Sequence, residues 1–158
     1  IDPVGTILLP LLCFITNAPM FGWAKPVPVD PSRLSNRPMS SFLVAAIGPI
    51  SNFFLACLAA VILGCACRFA PSVSQDPLFF RLVHYMIVVN LYLMVFNLLP
   101  IHPLDGSKVL AALLPYQWRF HYERLAPHGF FLIMILMMTG LFGKIVTPVV
   151  YWLYKFLV

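Results

Sequence analysis

Between Phe42 and Cys67 the chain carries no charged side chain. That run exceeds the roughly 20 residues a helix needs to cross the hydrocarbon core of a bilayer. Its most polar members are Ser51 and Asn52, and Arg68 stands just past its end as an interfacial anchor. The rest of the chain is of the same kind: of 158 residues, 61% are hydrophobic and 9% charged. Ten Lys and Arg with five Asp and Glu cannot supply the charge that a water-exposed surface of this size needs. The composition therefore predicts an all-α integral membrane protein, a polytopic bundle of transmembrane helices with the lipid bilayer as its solvent. The net charge of +5 does not point to nucleic acid, because the basic residues are scattered singly between apolar runs.

Around that span the chain divides into shorter pieces. Thr6 to Phe21 is apolar but interrupted by Pro10 and Pro19, marginal for a full crossing. From Phe21 to Pro31 alternate prolines exclude a helix and predict a short extended segment or edge strand. Ser32 to Ser41 reads as an aqueous or interfacial loop. Leu78 to Leu99 forms the next crossing. It must break at Pro100-Ile101-His102-Pro103, and a short helix restarts over Leu104 to Leu114. Pro115 to Pro127 has the polar and aromatic make-up of an interfacial stretch. Phe130 to Val158 is read as one kinked helix or a short hairpin. Gly48, Asn52, Ala56, Ala60 and Gly64 recur at every fourth residue, a ridge of small side chains that predicts close helix packing. Counting Lys and Arg puts the side where the Leu78 span ends in the cytoplasm. The opening Ile1-Asp2-Pro3-Val4-Gly5 has no signal-peptide character, and the chain is read as a single transmembrane domain over 1–158, the C-terminal portion of a longer protein. Cys13, Cys57, Cys65 and Cys67 read as small membrane-buried hydrophobes.

Asp105 is the anomaly. A carboxylate in the membrane region costs about 2.5 to 3.5 kcal/mol on insertion scales and is normally paired, metal-bound or solvated. Capping of the Leu104 helix is the plain alternative, since aspartate favours the N-cap. Asn90 and Asn97 lie seven residues apart on one helical face, with Met94 between them, and suggest a polar stripe leading into the break. His102 lies three residues before Asp105 with Pro103 between them, and is read as lining the site or as structural. His84 reads as a packing or interfacial histidine, and His121 and His128 as headgroup-level residues.

Three stretches carry a resemblance. Asn97-Leu98-Leu99-Pro100-Ile101-His102-Pro103-Leu104-Asp105-Gly106 resembles the Asn-x-x-Pro-x-x-x-Leu-Asp-Gly signature of the site-2 proteases, the intramembrane zinc metalloproteases. Gly48-Pro49-Ile50-Ser51-Asn52 resembles that family's Gly-Pro-x-x-Asn element, and Gly22 to Val29 resembles a segment of its compact bacterial members. The resemblance implies that Asp105 is a zinc ligand, that Asn97 positions substrate or the oxyanion, and that Asn52 plays a supporting part. Zinc held by two imidazoles and a carboxylate keeps a fourth position for water, whose pKa falls to about 7. The implied activity is endoproteolytic cleavage of a transmembrane segment of a membrane-protein substrate, in the bacterial inner membrane. Trp23, Lys25, Val27 and Val29 would hold the unwound substrate by strand addition.

The sequence departs from the family in one respect: it contains no His-Glu-x-x-His, the motif that supplies two zinc ligands and the general base. The resemblance places that motif on a helix upstream of the matching region, so the chain as it stands is expected to be inactive. Two competing readings accompany this one: a pseudoprotease that binds transmembrane segments without cutting them, and a transporter component, for which a broken helix with a carboxylate is also normal. The absence of an internal repeat weighs against the transporter.

Overall fold

The computed structural model describes residues 37–158, and over that range every regular element is a helix. The Thr6 to Phe21 run and the extended segment with Trp23, Lys25, Val27 and Val29 lie outside the described residues. Helix α1 spans Arg37–Phe69 and α2 spans Pro77–Asn97, joined by a one-turn helix at Pro71–Ser74. Both are long and apolar enough to cross a membrane. Beyond α2 come α3 (Asp105–Leu113), α4 (Tyr116–Glu123), a short 3-10 turn at Ala126–His128, α5 (Gly129–Met138) and α6 (Leu141–Leu157).

Local chemistry accounts for most of these limits. Asp76 caps α2, its carboxylate accepting from the Leu78 amide at 2.8 Å, and Pro77 occupies the first turn, where its missing N–H costs nothing. At the other end Pro100 and Pro103 cannot donate to the helical ladder, and α2 stops at Asn97. The region after Phe130 is two helices, not one. Gly140 adopts a left-handed conformation (φ 69°) between α5 and α6, and the stretch Tyr116–Met138 meets α6 at an 80° bend. The sequence Pro115 to Pro127, expected as an interfacial stretch, is mostly helical. In α4, Arg119 pairs with Glu123 one turn on, at 2.7 Å, while Tyr116, Trp118 and Phe120 are exposed.

The core lies where α1, α2 and α6 meet. Ala56, Ala59 and Leu63 of α1 pack with Val83, Ile87 and Leu91 of α2 and with Val146 and Val150 of α6. Two hydroxyl contacts reinforce the α2 and α6 seam: Tyr92 with Thr147 and His84 Nδ1 with Tyr154, both at 3.0 Å. His84 is thus the packing histidine that its position predicts. The outer surface is studded with exposed Leu, Ile, Val and Phe, as a lipid-facing surface should be.

The small-residue ridge is corrected in its course. The buried positions of α1 are Ala45, Pro49, Ala56, Ala59 and Leu63, whereas Gly64 is exposed with nothing near it. A spacing of four gains about 40° per step on a helix of 100° per residue, so a strict every-fourth ridge rotates off the interface before it reaches Gly64. Ala56 belongs to both sets, which is why part of the ridge packs as expected.

Candidate active site

The site is built on the bend between α2 and α3. After Asn97 the chain makes short-range backbone bonds, Leu98 N–H to the Met94 carbonyl, Leu99 N–H to Phe96 and Ile101 N–H to Leu99. It turns through His102 and Pro103 and restarts as a helix at Asp105. Leu104 takes the cap position in extended conformation, and its carbonyl accepts from both the backbone N–H and the hydroxyl of the fully buried Ser107. Asp105 is the first residue of α3, and its side chain makes no capping hydrogen bond. The capping explanation for this aspartate is therefore not what the structure shows. A carboxylate in the first turn of a helix is still favoured by the helix dipole.

Two glycines hold the bend in place. A Cβ on Gly106 would overlap the Leu98 carbonyl and come within 2.6 Å of the Leu99 oxygen, so α3 starts directly against the final turn of α2. A Cβ on Gly129, at the start of α5, would overlap the His102 carbonyl. Tyr122 of α4 adds a side chain to the same enclosure. Its hydroxyl donates to the Pro100 carbonyl at 2.8 Å, and its ring centroid lies 5.0 Å from that of His102. His102 is thus engaged in holding the bend, the structural one of its two expected roles.

The bend presents Asp105 to α1. A Cβ built on Gly48 would stand 3.0 Å from Asp105 Oδ2, so the carboxylate faces the one position on that turn of α1 that has no side chain. The side chain of Asp105 is 32% exposed, and its ion pair with Lys108, at 3.5 Å, is loose and open to solvent. It keeps lone pairs free for another partner. Asn52 and Asn97 are both half-buried. Asn90 does not extend a polar stripe from Asn97: its amide donates to the Met86 carbonyl of its own helix at 2.7 Å. Met94, between the two asparagines, instead lines an apolar groove of about 410 Å³ with Phe42, Pro49, Ile50, Phe53, Leu98 and Val109. An amide spacing of seven identifies a helix face but does not say which neighbours that face meets.

At the bend the donor that suits a metal is the Asp105 carboxylate. Among the described residues no three His, Cys, Asp or Glu side chains lie together as a metal set would. The Asp105 carboxylate, on a rigid helix start and weakly paired, suits a single oxygen ligand to zinc. Sequence reasoning found Asp105 and Gly106 but assigned nothing to Gly129 or Tyr122, whose contacts with the bend reach across more than twenty residues and follow no local period.

Comparison with known proteins agrees with the motifs. The family model for Peptidase family M50 matches residues 65–140, which include the whole bend with Asp105. Putative zinc metalloprotease YwhC of Bacillus subtilis is 32% identical over 154 residues, covering 94% of this chain. The chain spans 65% of the length of that relative. No solved structure matches it. The chain is similar to Peptidase family M50 in the stretch that holds the bend, and to a putative zinc metalloprotease along most of its own length.

Proposed function

We propose that the protein of which this chain forms part is a zinc-dependent intramembrane endopeptidase, a multi-pass protein of the bacterial inner membrane that cleaves transmembrane segments of other membrane proteins. The observation that carries the reading is the meeting of Gly48 with Asp105. Two motifs far apart in sequence, each resembling a family element, converge where α1 faces the start of α3. Asp105 would hold the zinc through one carboxylate oxygen, with the remaining ligands drawn from residues outside this sequence, which has no His-Glu-x-x-His. When bound, zinc polarises a carbonyl and lowers the pKa of its water to about 7. Gly48 leaves space for that carboxylate. Asn97, directly before the bend, would orient substrate by its amide, and Asn52, one turn along α1 from Gly48, would support it. Trp23, Lys25, Val27 and Val29 would pair with an extended substrate backbone where water is scarce.

Metal analysis of the intact protein tests this. Asp105→Ala is expected to lose both bound zinc and cleavage of a transmembrane substrate, while Asn97→Ala is expected to keep zinc and lose turnover. Undiminished zinc in Asp105→Ala would remove this residue from the ligand set. An intact protein that binds transmembrane segments but neither zinc nor cleaves would establish the non-catalytic alternative.

A further inference from the structure

Between Asn97 and Asp105 the helical hydrogen-bond ladder is interrupted, and each carbonyl there must find a new partner. Pro100 has no N–H to offer the Phe96 carbonyl, which is taken by Leu99 N–H instead. The Leu104 N–H, which would serve the Pro100 carbonyl in a continuous helix, goes to Ile101. The Pro100 carbonyl is left over, and the Tyr122 hydroxyl takes it at 2.8 Å. Tyr122 is half-buried on a helix whose other aromatic residues face outward. Its ring also lies near that of His102, 5.0 Å between centroids, and the His102 carbonyl stands against the backbone of Gly129.

We propose that Tyr122 is a positioning residue for Asp105: by supplying the donor that the broken ladder lacks at Pro100, it fixes the bend and so the place of the carboxylate opposite Gly48. This rests on the reading of Asp105 as a zinc ligand. Tyr122 touches neither metal nor substrate and acts only through the bend. Removing its hydroxyl leaves the ring against His102, so Tyr122→Phe isolates the hydrogen bond. Loss of one such bond corresponds to about a fivefold change in an equilibrium.

The test uses the intact protein, purified in detergent, with zinc itself as the probe in competition against a chelator. Tyr122→Phe is expected to weaken zinc retention about fivefold and to speed amide hydrogen exchange in residues 98–104, with little change in unfolding temperature. Combined with Asp105→Asn, its effect on zinc retention should disappear, because it acts through that carboxylate. An additive effect in the double variant, or unchanged exchange in the bend, would overturn the proposal. Full zinc retention in Asp105→Asn alone would instead overturn the ligand reading, and exchange in residues 98–104 would still decide whether the hydroxyl holds the bend.

Discussion

Gly106 and Gly64 are the same residue type in helices of the same protein, yet they stand in opposite surroundings. At Gly106 any Cβ would run into the backbone of Leu98 and Leu99, while at Gly64 there is nothing within 4 Å. The first region is dense because two helix ends and a loop converge there without side chains between them. The second is open because α1 has turned that face toward lipid. In a chain this apolar, hydrophobicity does not separate inside from outside. Space does, and the site lies where backbone meets backbone.

The contrast is broken most directly at the bend. Gly106→Ala must displace the backbone of α2 or α3, and we expect a loss of about 4 kcal/mol or failure to fold, followed by thermal unfolding in detergent. A variant that unfolds like the wild type would show that the two helix ends are not tightly apposed. Next in size is overpacking of the core. Ala56 is fully buried between α1 and its neighbours, so Ala56→Leu should cost about 2 kcal/mol. Leu58→Ala, on an exposed position of the same helix, should leave the unfolding temperature nearly unchanged.

Which of these differences could be read in advance follows from how each is encoded. The two long helices were legible because a long apolar run must be helical in lipid, and the break was legible because proline cannot donate. The start of α1 was missed: Pro38 and Arg37 looked like loop, but proline is tolerated in a first helical turn. So was the helix at Tyr116–Glu123, where the aromatic and charged residues suited an interface equally well with or without helical structure. Asp105 was found because a carboxylate is costly in this setting. Gly48 was quoted as part of a motif, yet its meaning is a vacancy filled by a residue of another helix. Gly129 and Tyr122 were invisible for a related reason: each acts on a segment distant in sequence, and nothing in their own neighbourhoods distinguishes them from other glycines and interfacial tyrosines.

A third kind of glycine sharpens the comparison. Gly140 has open space around it but a φ of 69°, so its requirement is conformational. Gly140→Ala should cost about 1 kcal/mol from the left-handed backbone alone. The effect should concentrate on the joint between α5 and α6, seen as faster hydrogen exchange at the start of α6, with residues 98–104 unaffected. Spread of the change into the bend would mean that the angle between these helices helps to hold His102 against Gly129.

The smallest effect is expected at Gly64, with the opposite sign. In mid-helix, glycine is less favourable than alanine by roughly 0.5 to 1 kcal/mol, because it loses more backbone freedom on folding. With no neighbour to meet, the added methyl of Gly64→Ala should bring part of that gain, a rise of about 0.5 kcal/mol in the unfolding free energy. Destabilisation here would mean that another helix, from elsewhere in the protein or from a second molecule, closes on this part of α1. The lipid-facing assignment of its final turns would then be wrong, and the every-fourth ridge from Gly48 would be an interface after all, used by a partner other than α2.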